Sequence, residues 1–167
     1  LYRILRKTAR ELDKRANLEI HGGQTELDRS VLEKLVGPLE HLLRNALDHG
    51  IETRKTRVAT GKSETGEIAL TVRQVGNEIA IELSDDGHGI DFERVRERAV
   101  ALGLLGADSE PTIHQLVEFL FNPGFTTAAE VTQISGRGIG MDVVRNEIIA
   151  LGGRVDVHTQ PGKGTRF

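Results

Sequence analysis

The 167-residue sequence contains no cysteine. It therefore has neither a disulfide framework nor a thiolate metal site, a composition that suits a reducing compartment. It also lacks an apolar run long enough to span a bilayer, and the N-terminal letters LYRILRKTAR do not follow the pattern of a signal peptide. We therefore expect a cytoplasmic protein with no membrane insertion.

The sequence has little excess charge of either sign. Its 22 basic and 25 acidic residues give a net charge of -3, which offers no support for nucleic-acid binding. Any anion site must therefore be built locally. The length suffices for one domain with a hydrophobic core, and 38% hydrophobic and 28% charged residues argue against long disorder.

The two ends of the sequence predict a segment of a longer protein. The chain starts without Met in an amphipathic stretch and stops at Phe167, in what we interpret as the start of a strand. We expect residues 1–16 to be the end of a preceding helix. Residues 17–167 are then expected to form the main domain, truncated at its C-terminus.

Hydrophobic periodicity predicts both helices and strands. Residues 67–75 and 78–84 alternate apolar and polar side chains around Gly76-Asn77, which predicts a β-hairpin. Asp28 is expected to cap a helix that Gly37-Pro38 should kink. The remaining predictions are an edge strand at 17–20, helices at 91–102, 111–120 and 141–151, a strand marked by Val155 and Val157, a turn at Pro161-Gly162 and a last strand starting at Thr165.

The long segment 122–140 is rich in Gly, Ser and Thr. It exceeds the usual length of a connection in a compact domain, which predicts a functional loop or lid. Antiparallel strands on one side and helices on the other indicate an α+β two-layer sandwich.

The segment 41–52, HLLRNALDHGIE, carries polar side chains at helical spacing. His41, Asn45 and His49 lie four residues apart. Asp48 joins them, so one helix face combines an amide, two imidazoles and a carboxylate. The Asn oxygen suits Mg²⁺, which takes only one or two protein oxygens while bridging to substrate phosphates. Taken alone, the His and Asn pair is better explained as a solvated surface pair.

A first glycine segment follows the second strand of the hairpin. A carboxylate such as Asp85 at a strand end can accept a hydrogen bond from an exocyclic amine such as adenine N6. Gly87 and Gly89 would let the main chain approach a flat ligand closely. Taken alone, a plain Asp-Gly turn is the better explanation.

A second glycine segment stands directly before the helix that begins near Met141. Glycines at alternate positions, Gly136, Gly138 and Gly140, favour phosphate binding by helix N-terminal N–H groups over a flexible linker. The pattern is not a dinucleotide fingerprint, because Val143 stands where GxGxxG needs glycine. Gly61-Lys62-Ser63 resembles the end of a P-loop, yet the first glycine of that motif is missing.

Three arginines could face phosphates. Arg94 and Arg98 lie four apart on the helix after the first glycine segment, and Arg44 precedes Asn45. Surface arginines are common, so an ordinary surface role is about equally favoured.

Five motifs stand in the order of the N, G1, F, G2 and G3 boxes of a known family. They are HLLRNALDHGIE, DDGHGID, FLFNPGFTT, SGRGIGMDVV and GKGT. In this order the sequence resembles the GHKL (Bergerat) ATP-binding fold, and most closely the catalytic domain of chemotaxis-type (CheA-like) sensor histidine kinases. The resemblance spans roughly residues 20–167, and residues 1–16 resemble the end of the family's dimerisation helices. It implies a two-layer α/β sandwich with a mixed, mostly antiparallel sheet and helices on one face.

The resemblance also implies roles for individual residues. Asn45 would be the Mg²⁺ ligand, and His41 would be the polar group nearest the reacting phosphate, where hydrolases of the fold carry Glu. Asp85 would bind adenine N6, and Thr165 would support Asp85 through a hydroxyl or a water. The other expected ATP-binding residues are Arg44, Asp48, His49, Gly87, Gly89, Ile90, Arg94, Arg98, Ser135, Gly136, Arg137, Gly138, Ile139, Gly140 and Met141. Phe121 and Phe125 would pack the lid against the core.

The implied activity is transfer of the γ-phosphoryl group of Mg-ATP to a histidine. The acceptor would belong to a separate phosphotransfer domain on the same or a sister chain, because no acceptor helix is evident here. A response regulator and a receptor-coupling adaptor are the further implied partners, and the full-length protein is expected to be a dimer. Two alternatives stay open, a hydrolytic ATPase of the same fold and a non-catalytic module that nucleotide orders.

Overall fold

The computed structural model of the chain describes residues 1–125 and 140–167. These residues form two compact units. The first unit comprises Leu1–Ile90 and Asp156–Phe167, and the second comprises Asp91–Val155. The predicted boundary after residue 16 stays a prediction. Within the described ranges, no helix is both long enough and apolar enough to cross a membrane.

The first unit is built on a mixed five-stranded sheet with the order β1-β2-β3-β5-β4. β1 pairs with β2 in parallel, and every other pair is antiparallel. The predicted α+β class with a mixed, mostly antiparallel sheet is therefore confirmed. The strands are β1 (Ala16–His21), β2 (Gly66–Val75), β3 (Glu78–Asp85), β4 (His158–Gln160) and β5 (Gly164–Arg166).

The β2–β3 hairpin confirms the predicted alternation. Leu70 lies opposite Leu83, and Ile68 lies opposite Asp85, so these four side chains share one face of the sheet. Ile68, Leu70 and Leu83 are buried. Because Asp85 ends the strand on this same face, alternation alone directs its carboxylate toward the buried side.

Two helices of the first unit follow residues whose side chains accept hydrogen bonds from free helical N–H groups, Asp28 and Thr53. The Asp28 side chain accepts a hydrogen bond from Ser30 N–H, as predicted. Pro38 lies inside this helix, and the predicted kink stays a prediction. The helical segments are α1 (Tyr2–Glu11), α2 (Arg29–Asn45), a π-helical turn (Ala46–Gly50) and α3 (Arg54–Ala59).

The second unit contains three described helices. They are α4 (Phe92–Ala101), α5 (Ile113–Phe119) and α6 (Met141–Ala150). Asp91 caps α4, and Thr112 forms a capping box with Gln115 at the start of α5. The three helices lie within the predicted ranges.

Aromatic and ionic contacts pack the second unit. Arg145 of α6 forms a two-pronged ion pair with Glu118 of α5 and lies over the Phe121 ring at 4.4 Å from its centroid. Phe119 and Phe125 stack with their ring centroids 6.2 Å apart. Phe121 and Phe125 are both buried. The lid against which they were expected to pack falls largely on residues 126–139, outside the described residues.

The strand predicted at Val155 and Val157 is wrong. β4 begins only at His158, because it pairs with β5 from Gln160 opposite Gly164 to His158 opposite Arg166. The described strand therefore starts after the two valines, although their alternation suits a strand.

Gly164 supports the junction of β5 with β3. Its φ is +109°, and a Cβ there would collide with the Asp85 carbonyl oxygen. Gly162 also has positive φ, +75°, but nothing lies within 4 Å of its Cβ position.

We therefore expect Gly162→Ala to lower the free energy of unfolding by about 1–2 kcal/mol through backbone strain. Gly164→Ala should cost a further 1–3 kcal/mol or so from overpacking.

Urea unfolding of the two variants beside the parent chain measures this difference. Equal losses for Gly164→Ala and Gly162→Ala would show that the main chain of residue 85 does not press against β5.

Candidate functional site

The polar residues of segment 41–52 differ in their exposure. His41 and Asn45 of α2 are half-buried, whereas Asp48 and His49 of the π-helical turn are exposed. His49 Nε2 lies 3.5 Å from Asp48 Oδ2. Single π-helical turns occur often at functional sites. The leucines of the segment are buried, which confirms the predicted apolar face: Leu42, Leu43 and Leu47.

Lys14 fastens the loop before β1 to the π-helical turn. Its Nζ donates hydrogen bonds to the carbonyl oxygens of Leu47 at 2.8 Å and Asp48 at 2.6 Å. Burial lowers the pKa of Lys14 and outweighs the nearby charges of Asp48 and Glu52. A lysine at this helix end satisfies carbonyl groups that have no helical partner.

Asp85 is a half-buried carboxylate at the end of β3. Its Oδ1 accepts a hydrogen bond of 2.9 Å from Gly87 N–H. Burial raises the pKa of Asp85, and the charge of Asp86 adds to this effect. The N–H groups of Gly87 and Thr165 and the nearby His88 oppose it, but the pKa stays above its ordinary value. The folded chain therefore holds this anion with incomplete solvation.

The end of the π-helical turn touches the acidic turn (residues 85–89) through main-chain atoms. His88 N–H donates to the Gly50 carbonyl oxygen at 3.0 Å. A Cβ on Gly87 would overlap that carbonyl group, and a Cβ on Gly50 would lie 3.1 Å from Asp85 Oδ1. Glycine at these two positions thus lets the segment carrying Asn45 approach the carboxylate of Asp85.

Two threonine hydroxyls join β4 and β5 to the acidic turn. Thr159 Oγ1 accepts a hydrogen bond of 2.9 Å from Ile90 N–H and lies 3.2 Å from Thr165 Oγ1. Gly89 has φ +83°, and a Cβ there would lie 3.0 Å from Thr159 Oγ1. Thr165 acts on Asp85 through its backbone N–H. Its hydroxyl lies within hydrogen-bond distance of Thr159, and the expected support of Asp85 through that hydroxyl or a water stays a prediction.

The structure thus brings together a subset of the predicted residues within the first unit. Asp85, Gly87, Gly89, Ile90 and Thr165 converge around the acidic turn, and the π-helical turn carrying Asp48 and His49 adjoins it through Gly50. Arg44 is half-buried on α2 beside Asn45.

The other predicted residues belong to the second unit or fall outside the described residues. Arg94 is exposed on α4. Arg98 is half-buried, and its Nε is buried without a hydrogen-bond partner among the described residues. Gly140 precedes α6, which begins at Met141. The predicted phosphate-binding residues Ser135, Gly136, Arg137, Gly138 and Ile139 lie outside the described residues.

Sequence reasoning missed Lys14, Thr159 and Arg57. The first two act through contacts 33 residues or more away along the chain, which local patterns do not reveal. Arg57 did leave a signal. It occupies a short helix that ends before Gly61-Lys62, and a cation without a partner one turn away is free to pair with a distant carboxylate.

The chain belongs to the family described as histidine kinase-, DNA gyrase B- and HSP90-like ATPase, whose model matches residues 35–167. This family shares the GHKL ATP-binding fold, as the sequence motifs predicted. Among individual relatives, the chain is 46% identical over 163 residues to chemotaxis protein CheA of Klebsiella aerogenes. It is 44% identical over 165 residues to chemotaxis protein CheA of Rhizobium meliloti, and 42% over 167 residues to that of Bacillus subtilis.

These alignments cover 98%, 99% and 99% of the chain but only 25%, 22% and 25% of the relatives. The chain thus spans about a quarter of the length of the proteins it matches. Among solved structures, the histidine kinase domain of a blue-light activated histidine kinase from Erythrobacter litoralis is similar, with a TM-score of 0.53 and 14% identity. That match covers 98% of the chain and 58% of the solved chain, and it supports the fold alone.

The raised pKa of Asp85 predicts a pH-dependent cost of its charge. Because the folded pKa lies above the ordinary 3.8, the folded state loses stability as the pH rises through that higher pKa. Asp85→Asn keeps an oxygen for Gly87 N–H but cannot ionise. We expect Asp85→Asn to raise the free energy of unfolding, relative to the parent chain, by more at neutral than at acidic pH.

Urea unfolding at neutral pH and near pH 4 measures this difference for the unliganded chain, with exposed Asp108→Asn as the background variant. A relative stability of Asp85→Asn that stays constant, or that improves on acidification, would contradict the buried-charge interpretation.

Proposed function

We propose that the chain is the ATP-binding catalytic domain of a chemotaxis-type histidine kinase. It would transfer the γ-phosphoryl group of Mg-ATP to a histidine on a separate phosphotransfer domain. The observation that carries the proposal is the half-buried Asp85 carboxylate on a glycine-shaped turn that contacts the segment bearing Asn45. Membership of the ATPase family and similarity to chemotaxis proteins along the whole chain support it.

The acidic turn fits the base of an adenine nucleotide. Burial leaves an ionised carboxylate incompletely solvated. A new N–H donor, such as the exocyclic amine of adenine, therefore stabilises its charge. Gly89 lets the turn approach β4 closely, because a Cβ there would meet the Gln160 carbonyl oxygen at 2.8 Å. Asp85 would therefore select the base, and the glycines would shape the floor under it.

Asn45 fits a magnesium ion that is shared with phosphates. A side-chain amide offers one neutral oxygen on a fixed helix, which matches the few protein ligands that Mg²⁺ takes in phosphate sites. When bound, the ion would supply charge neutralisation to the transferring phosphoryl group. The protein would contribute the position of Asn45 at the end of α2, which the buried Leu43 and the Lys14 contacts hold in place.

His41 distinguishes transfer from hydrolysis. It precedes Asn45 by one helical turn, at the position where hydrolases of the fold carry a glutamate to activate water. An imidazole in place of that glutamate is consistent with phosphoryl transfer, in which positioning and charge neutralisation carry most of the chemistry. The residues proposed to neutralise or contact the triphosphate are Arg44, Asp48, His49, Ile90, Arg94, Arg98, residues 135–139, Gly140 and Met141.

The proposal extends to the full-length protein. Residues 1–16 would end a preceding dimerisation or linker helix, and the whole protein would act as a cytoplasmic dimer. Its partners would be a histidine phosphotransfer domain on the same or a sister chain, a response regulator and a receptor-coupling adaptor.

Asn45→Ala tests the metal site. We expect the parent chain, mixed with Mg-ATP and the phosphotransfer domain of a similar chemotaxis protein, to produce acid-labile phosphate on that domain. Asn45→Ala should lose this activity by about 100-fold or more, because charge neutralisation by the metal is worth several kcal/mol. Transfer of γ-labelled phosphate, followed over time, measures the rates.

Asn77→Ala is the matched control, since Asn77 is an exposed residue of the hairpin turn. It should phosphorylate like the parent chain. Normal phosphorylation by Asn45→Ala would overturn the metal assignment, and release of free phosphate independent of the acceptor would favour a hydrolytic ATPase.

Calorimetry separates the proposed kinase from a non-catalytic module. We expect ATP to bind the parent chain more tightly with Mg²⁺ than without it, because the metal would link Asn45 to the phosphates. An affinity for ATP that does not change with Mg²⁺ would instead favour the non-catalytic module, in which bound nucleotide only orders the chain.

A further inference from the structure

Arg57 of α3 is a buried cation outside the residues assigned above. Only 1% of its side chain is exposed. A buried guanidinium is strongly unfavourable unless its N–H groups and its charge are satisfied. The contacts of Arg57 therefore indicate what the surrounding structure uses it for.

Every side-chain nitrogen of Arg57 donates a hydrogen bond. Nη2 and Nη1 grip the two Asp86 carboxylate oxygens at 2.8 and 3.1 Å, which is a two-pronged ion pair. Nη1 also donates to Glu52 Oε2 at 2.9 Å, and Nε donates to the Ser63 carbonyl oxygen at 2.6 Å. The Arg57 side chain thus joins three segments: the residues just after the π-helical turn, the loop after α3 and the acidic turn.

Lys62 closes the same cluster. Its Nζ donates to Glu52 Oε1 at 2.6 Å and to the carbonyl oxygens of Asp86 at 2.7 Å and Gly87 at 2.8 Å. Burial alone would raise the pKa of Glu52, but the hydrogen bond and charge of Lys62 and the charge of Arg57 hold it below its ordinary value. The cluster therefore favours the ionised form of Glu52.

The cluster and Asp85 hold the same peptide group, the one between Asp86 and Gly87. Its N–H, that of Gly87, donates to Asp85, while its carbonyl oxygen, that of Asp86, accepts from Lys62. Asp86, which Arg57 grips, also accepts a hydrogen bond of 2.9 Å from Glu67 N–H of β2. A shift of Arg57 or Lys62 would therefore move the main chain on which the Asp85 carboxylate is mounted.

We propose that Arg57 and Lys62, bridged by Glu52, are positioning residues that set the orientation of Asp85 toward the base of the nucleotide. This inference rests on the function proposed above. It assigns selectivity for the exocyclic amine to a cluster that touches no nucleotide itself.

The test compares binding of ADP with binding of IDP, which has an oxo group in place of the amine. We expect the parent chain to prefer ADP by about tenfold or more, because one hydrogen bond to a charged group discriminates by that much. Arg57→Lys keeps the charge but loses the fork, and Lys62→Met removes three donated hydrogen bonds at a partly exposed site. Each should lose most of the preference for ADP while its affinity for IDP changes little.

Arg54→Lys is the matched control on the same helix. Arg54 has an exposed ion pair with Glu64 at 2.9 Å, and its replacement should leave both affinities unchanged. Calorimetry gives the affinities, and thermal unfolding confirms that each variant is folded at the assay temperature. If Arg57→Lys does not fold, Lys62→Met carries the test, because its side chain is 20% exposed.

The outcomes distinguish the inference from the proposed function. A parent chain that binds ADP and IDP equally would overturn the role of Asp85, and the inference with it. A parent chain that prefers ADP, beside folded Lys62→Met with the same preference, would overturn the inference alone. An equal loss of ADP and IDP affinity would show a merely structural role for the cluster.

Discussion

The first unit depends on the placement of two adjacent carboxylates with opposite electrostatic surroundings. Strand alternation sends Asp85 and Asp86 to opposite sides of the chain. Asp86 meets the guanidinium of Arg57 and is compensated there. Asp85 is half-buried and accepts hydrogen bonds from main-chain N–H groups, which do not fully offset the effect of burial on its charge. Asp86 thus fixes the acidic turn in place, while the carboxylate of Asp85 can accept a further hydrogen bond.

Local patterns in the sequence predicted most of the elements of this unit. The hairpin, the caps at Asp28 and Asp91, and the position of Asp85 at a strand end all depend on neighbours within a few residues. The described β4 starts at His158, after the two valines that were predicted to mark it. Strand propensity describes a residue, whereas the length of an edge strand is a property of a pair.

The residues of the candidate site that belong to one sequence motif could be predicted. The residues from distant segments that hold this motif in place could not. Asp85 and its glycines stand together in the sequence. The partners that hold them come from elsewhere, Thr159 from β4 and Arg57 from α3. The charge pattern around Arg57 indicated a distant partner but did not identify it as Asp86, which lies 29 residues away. Long-range ion pairs of this kind need the fold before they can be recognised.

The hydrogen bond between His88 N–H and the Gly50 carbonyl oxygen has a consequence for variation at position 88. Because the bond uses only main-chain atoms, the joint does not require imidazole, and any residue other than proline can make it. The side chain of His88 nevertheless lies close enough to Asp85 to affect the electrostatics of its carboxylate. Substitution of His88 would therefore change the electrostatic potential at the Asp85 carboxylate while the main-chain hydrogen bond stays intact. The strength of this carboxylate as an acceptor can thus vary without a change of the fold.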